Sequence, residues 1–276
     1  MAATTSSTLD DLFANIIAQA RFTAEEQSLM MGLVTQYNIA NEAGKTVQIP
    51  KYPAIAAADL TEGTDMSSTT VSTSSVTVTV GEVGAQVVLT DMAAFGAGNP
   101  AVELGTVLGN AIATKMDTDL IGLFTGFTAS VGAAGQELTA VDLFKAAATL
   151  RAAKVTGNIV AVIHPFQAYS IKSSLTNTFA DPNGGDIQNE AMRTGYVGTV
   201  AGIDVYESAN IAVTGSDAIA AVFAPEALAI AMKRDFGIES QRDASLRAFE
   251  LNATAAYGVA ELDDSFGVKL IGDAAL

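Results

Sequence analysis

Residues Gly195–Ile211 read GYVGTVAGIDVYESANI, a glycine-punctuated turn that runs directly into a β pattern. Gly195, Gly198 and Gly202 let the backbone take positive φ or pass close to a neighbour, and are read as a structural turn. Ile203, Val205 and Tyr206 then begin a short strand that stops near Asn210. Nothing in the stretch assembles a nucleophile with a base, so it points to architecture rather than catalysis.

Working outward toward the C-terminus, Ala218–Phe223 and Ala227–Met232 read as a strand pair around a Pro225 turn. Ile238–Leu262 reads as a twisted antiparallel pair turning near Asp243, and Phe266–Ile271 as a last strand. Toward the N-terminus, Asn177–Asn189 is a polar loop containing DPNGGD. Before it come a short helix over Pro165–Leu175, a buried strand over Ile159–Ile163, and a helix over Thr139–Val155 with Val141, Leu143, Phe144 and Leu150 inward. Residues 129–138 form a glycine-bearing break.

Asn99 and Pro100 open a longer helix, asparagine as cap and proline in the first turn. Leu104, Val107, Leu108, Ala111, Ile112, Met116, Leu120, Leu123, Phe124 and Phe127 keep a three-to-four spacing. That predicts one helix of roughly 40 Å anchoring the core. Ahead of it, Lys45–Ile49 reads as a strand halted by Pro50 and Pro53. The Ser/Thr-rich run Ala56–Thr90, alternating at Val76, Val78 and Val80 and again over Val87–Leu89, reads as a long two-stranded hairpin. Ordering such a segment costs about 1 to 2 kcal/mol per residue, and a lone hairpin is marginal, so a neighbouring subunit is its natural partner. Residues 1–8 are small and polar; short helices follow from Thr8 or Asp10 through Gln19, and from Thr23 with Leu29, Met30, Leu33 and Val34 on one face.

Composition removes several classes. With 276 residues and 49% hydrophobic content, the chain has ample material for a core. Its longest apolar run, Ile219–Met232, is broken by Pro225 and Glu226, so no membrane span is expected. The first basic residue is Arg21, which disfavours a secretory signal. Zero cysteines exclude disulfides and thiolate chemistry. A formal charge of -16 repels nucleic acid, so a low-stick acidic wall fits better than a reading groove. Five of the 14 basic residues, Lys233, Arg234, Arg242, Arg247 and Lys269, gather near the C-terminus, where they form a solvated face or pair with acidic groups on another subunit.

The possible chemistry is thin. His164 is the only histidine and sits at a helix entry. GAGNPA, Gly96–Ala101, matches a dinucleotide pattern, but Asp117 and Asp119 lie within the same helix instead of ending a second strand. Asp181, Asn183 and Asp186 lack the spacing and closing glutamate of a calcium loop. Asp263 and Asp264 read as a solvated turn, or as an acidic contact for the basic cluster.

In their order, KTVQIPKY leading into ADLTEGTDM, the return ending VVLTD, the helix from Pro100, GYVGTVAGIDVYESANI and AVFAPEAL, the chain resembles a tailed-phage major capsid protein of the HK97-type fold, over about Asn41 to Gly272. The resemblance implies an α+β fold: an N-terminal arm (1–44), an extended β-hairpin loop (45–92), a peripheral domain with a long spine helix (93–138 and 234–266) and an axial α/β domain (139–233 and 267–276). It implies inter-subunit contacts at Thr61, Glu62, Asp65, Ser67, Thr69, Val71 and Ser75 of the loop, with Arg242 and Arg247. The expected function is an icosahedral shell of hexamers and pentamers in the virion, assembled in the host cytoplasm around double-stranded DNA held without sequence specificity. A separate scaffolding protein and a portal are expected partners, and neither enzymatic activity, cofactor, metal nor membrane contact is expected. Lys45 and Lys51 lie at the root of the loop and its tip has no lysine, so the family's loop crosslink is not expected. The alternatives are an encapsulin-like compartment and a surface-layer or adhesin protein.

Overall fold

Ile159–Ile163, five apolar residues in a row, form strand β6, buried at every position. A strand buried on both faces needs neighbours on both sides and layers above and below, and β6 lies inside a seven-stranded sheet. The computed structural model describes residues 28–92, apart from 42, 54, 56, 58, 64, 67 and 69, together with 101–178 and 199–275. The helix expected over Thr8–Gln19, the Asn99 cap, the DPNGGD loop, Gly195 and Gly198 lie outside them.

The sheet runs β5 (Ser130–Gly132), β13 (Gly267–Asp273), β10 (Asp217–Phe223), β6, β8 (Ile203–Glu207), β7 (Thr199–Val200), with β9 (Val213–Thr214) paired to β10. Helix α2 (Ala140–Ala152) leads from β5 to β6 and α3 (Pro165–Thr178) from β6 to β8. Both crossovers advance in the same direction between parallel strands, so right-handed connections put both helices on one face. The Ala140 N–H donates to Ser174 Oγ at 3.1 Å, tying them together. In α2 the buried stripe is Ala140, Leu143, Ala146, Ala147 and Leu150. Val141 and Phe144 were expected inward but are 53% and 48% exposed, because they lie about 155° and about 95° around the helix from the centre of that stripe.

A second sheet has the order β1 (Thr35–Asn38), β11 (Leu228–Asp243), β12 (Ala248–Glu261), β4 (Gly81–Thr90). Against it packs α1 (Ala101–Gly122), with Leu108, Ile112, Met116 and Leu120 buried and Val107 turned to solvent. Its 22 residues span about 33 Å, less than expected, because Leu123–Gly126 tighten into a 3₁₀ turn. That turn delivers Phe124 to Phe223 of the first sheet, ring centroids 5.5 Å apart. Met30–Leu33, expected as helix, is likewise one 3₁₀ turn leading into β1.

Adjacent elements in the chain separate between the sheets. β10 and β11 do not pair around Pro225 as expected: the 3₁₀ turn Pro225–Ala227 carries the chain from one sheet to the other. Asp264–Phe266 carries it back from β12 to β13. The two passages are bonded to each other, Leu262 N–H to the Ala227 carbonyl at 2.7 Å and Ala224 N–H to that of Phe266 at 3.0 Å.

The expected hairpin also pairs differently. β3 (Ser74–Thr79) lies antiparallel to β2 (Thr46–Lys51), while β4 joins β12. Alternation identifies a strand but not its partner. β2 runs through Pro50 rather than halting before it. Val80 N–H donates to the Lys45 carbonyl, so the bonded pairs fall at every second position and Pro50, opposite Ser75, needs no N–H.

Candidate assembly surfaces

Residues 52–73 connect β2 to β3 and hold a concentration of large exposed apolar side chains. Tyr52, Ile55, Leu60, Met66 and Val71 are between 43% and 72% exposed. Each forgoes about 1.5 to 3 kcal/mol relative to full burial, and their grouping in one segment makes it a candidate contact surface. The root of the loop is fixed. Lys51 Nζ lies 2.7 Å from Asp263 Oδ2, and Lys233 Nζ donates to the Gly44 carbonyl at 2.8 Å. Burial pushes the Asp263 carboxyl up, but Lys51 and the Ser265 hydroxyl and N–H outweigh it and hold it below 3.8.

Thr61, Glu62, Asp65 and Val71 stand exposed in this loop, and Ser75 lies on β3; Ser67 and Thr69 are outside the described residues. Arg242 and Arg247 are elsewhere, at the turn joining β11 and β12, the far end of a 14-residue strand from the loop root. Arg242 grips Asp91 through both guanidinium nitrogens at 2.6 and 2.8 Å and lies 4.5 Å over the Phe249 ring. Arg247 takes φ +52°, and its carbonyl accepts from Asp91 N–H at 3.0 Å. Gly202, at φ +78°, follows Ala201 at φ +59° in the two-residue turn between β7 and β8, where both central residues need positive φ.

The polar side chains inside the molecule build structure. His164 Nδ1 accepts from Phe166 N–H at 3.3 Å at the start of α3, and burial lowers its pKa. Asp119 accepts from the Tyr257 hydroxyl at 2.8 Å and pairs with Lys115 at 2.6 Å. Burial, then Asp119, raises the Tyr257 pKa. Asp263 pairs with Lys51, not with the basic cluster, and Asp264 Oδ1 accepts from Thr128 N–H at 2.7 Å. Among the described residues no group of three or more His, Cys, Asp or Glu stands ready to hold a metal. Gly96–Pro100, Asp181, Asn183 and Asp186 fall outside them.

Two sheets joined by paired passages, a long helix on the smaller one and a projecting loop with an apolar surface define a capsid subunit of the HK97 type. The chain belongs to the phage capsid protein family, whose model matches residues 73–270. A chain of Mycobacterium phage Che8 superposes with TM-score 0.72 at 21% identity, covering 88% of this chain and 90% of that one. The capsid of cyanophage P-SCSP1u gives 0.71 at 17%, covering 90% and 89%. A virus-like particle from Pyrococcus furiosus gives 0.63 at 11%, covering 94% and 98%. No curated protein matches the chain by sequence.

Thr61, Glu62, Asp65, Ser67, Thr69, Val71 and Ser75 are the loop contacts read from the sequence; Tyr52, Ile55, Leu60 and Met66 are not among them. The signal was there: large apolar residues in a Ser/Thr/Ala segment with neither helical nor strand period.

Proposed function

We propose that this capsid protein is the coat subunit of an icosahedral phage head, packing in hexamers and pentamers around double-stranded DNA held without sequence specificity. In this reading the four-stranded sheet with α1 forms the peripheral half and the seven-stranded sheet the axial half. The loop of residues 52–73 reaches over a neighbour. The observation that carries the proposal is that loop: five large apolar side chains exposed on a segment whose root is held by Lys51–Asp263. Heterologous contacts of this kind close into shells when the subunit angles permit. Its role is containment, without a catalytic step. A scaffolding protein and a portal are the partners such a head requires, and the virion, assembled in host cytoplasm, is its location.

Electron microscopy of the largest species formed by the chain expressed alone tests this. Closed angular shells are expected. A chain that stays monomeric both alone and with a scaffolding protein overturns the proposal, and shells filled with protein cargo would point to a compartment instead.

A further inference from the structure

Six of the twelve lysines and arginines among the described residues form ion pairs within the subunit. Lys51, Lys115, Lys145, Lys172, Arg234 and Arg242 each lie within 2.8 Å of a carboxylate oxygen. Arg151 and Lys154, at the C-terminal end of α2, are exposed and have no ion pair among the described residues. On the same helix Val141 and Phe144 face away from the sheet, about half exposed. The outward face of α2 therefore runs from an apolar N-terminal half, through Ala148, to two cations without a counter-charge, in a chain whose formal charge is -16.

The 52–73 loop carries the complement. Beside its exposed apolar residues it holds Asp59, Glu62 and Asp65 and no basic residue. Leu60 and Met66 bracket Glu62 and Asp65 within seven positions, folded by a turn at Glu62–Gly63 where Gly63 takes φ +81°. The outward stripe of α2 from Val141 to Arg151 is about 15 Å long, and Lys154 follows just past the helix end. Other described faces fit less well. Beside β4, the outer side of the four-stranded sheet presents Glu82 and Glu250, which repel an acidic segment, and its Arg234 is already paired with Glu239. The solvent side of α1 offers Glu103, and its Lys115 is already paired with Asp119.

We infer that the outward face of α2 is the dock for the 52–73 loop of a second copy, with Val141 and Phe144 receiving Leu60 or Met66, and Arg151 and Lys154 receiving Glu62 and Asp65. The inference rests on the shell-forming reading and adds to it the surface on which the loop lands. Apolar anchors supply affinity, while the charges fix direction and register.

A charge swap tests it in the full chain. Arg151→Glu with Lys154→Glu should raise the protein concentration needed for shells about tenfold, with circular dichroism unchanged. Adding Glu62→Lys and Asp65→Lys should restore assembly to within about threefold of the parent. Because the chain has no cysteine, Met66→Cys with Phe144→Cys gives a second readout: a short bifunctional maleimide should link chains in shells of the double variant and of neither single variant. Normal assembly of the reversed variant, or loss that the loop reversal leaves uncorrected together with no crosslink, overturns the dock while leaving the capsid reading intact. A parent chain that makes no shells under any condition overturns the reading beneath it.

Discussion

The buried carboxylate of Asp117, in the last third of α1, accepts a hydrogen bond from the Ser28 hydroxyl 89 positions earlier at 3.0 Å. The same carboxylate accepts from the N–H groups of Leu29 at 3.2 Å and Met30 at 3.1 Å. One side chain thereby satisfies the turn that brings the chain into β1. Asp117→Ala leaves those donors unpaired away from water and should cost about 1 to 3 kcal/mol. A urea unfolding midpoint shared with the parent would contradict this.

Asp117 also predicts a pH dependence. Burial raises its carboxyl above 3.8, against the Ser28, Met30, Leu29 and Asn210 bonds that lower it. Between 3.8 and that raised value the native state binds more protons than the unfolded chain, so this contribution is complete below 3.8 and is lost as pH rises through the native value. Glu261, raised by burial and by Asp264, has the same sign, so the comparison must be between variants. Relative to Asp117→Asn, the parent should gain melting temperature as pH is lowered toward 3.8; parallel curves would refute the assignment.

Gly267 sits where β13 begins, and a Cβ there would overlap the buried Phe127 ring. Gly267→Ala should destabilise by about 1 to 3 kcal/mol. Pairing it with Phe127→Leu should recover part of the loss, a coupling readable from thermal melts in a double-mutant cycle.

Deleting residues 59–66 should leave a subunit with parental circular dichroism and melting behaviour, since Leu60 and Met66 contact solvent in the monomer. Sedimentation should then show subunits without shells. Normal shells from the deletion would remove the loop from the assembly contact.

The elements of the larger sheet could be read because β6 is apolar at each position and α2 and α3 follow helical spacing. Pairing was harder. β2, β3 and β4 all alternate, and only tertiary packing decides that β4 leaves β3 for β12. The separation of β10 from β11 was hidden for a similar reason, since Pro225 marks a turn without saying whether the strands beyond it pair. Val141 and Phe144 look like core because they are large, whereas the buried stripe of α2 contains three alanines beside two leucines. The large exposed side chains of the loop, Tyr52, Ile55, Leu60 and Met66, were harder to pick out because they are sparse in a segment dominated by Ser, Thr and Ala.

The twin passages at Pro225–Ala227 and Asp264–Phe266 have a mechanical consequence. Together with the run from α1 through Leu123–Gly126 into β5, they make three covalent segments that share any pull drawing the sheets apart, two of them stitched by the Leu262 and Ala224 amides. Neither sheet's ladder crosses the seam, but one apolar core does, running from Leu108 and Leu251 through Phe124 to Phe223 and Val162, so the halves cannot tilt without disturbing packed side chains. Under load the subunit responds as one body, strapped by its own chain and filled by a shared core.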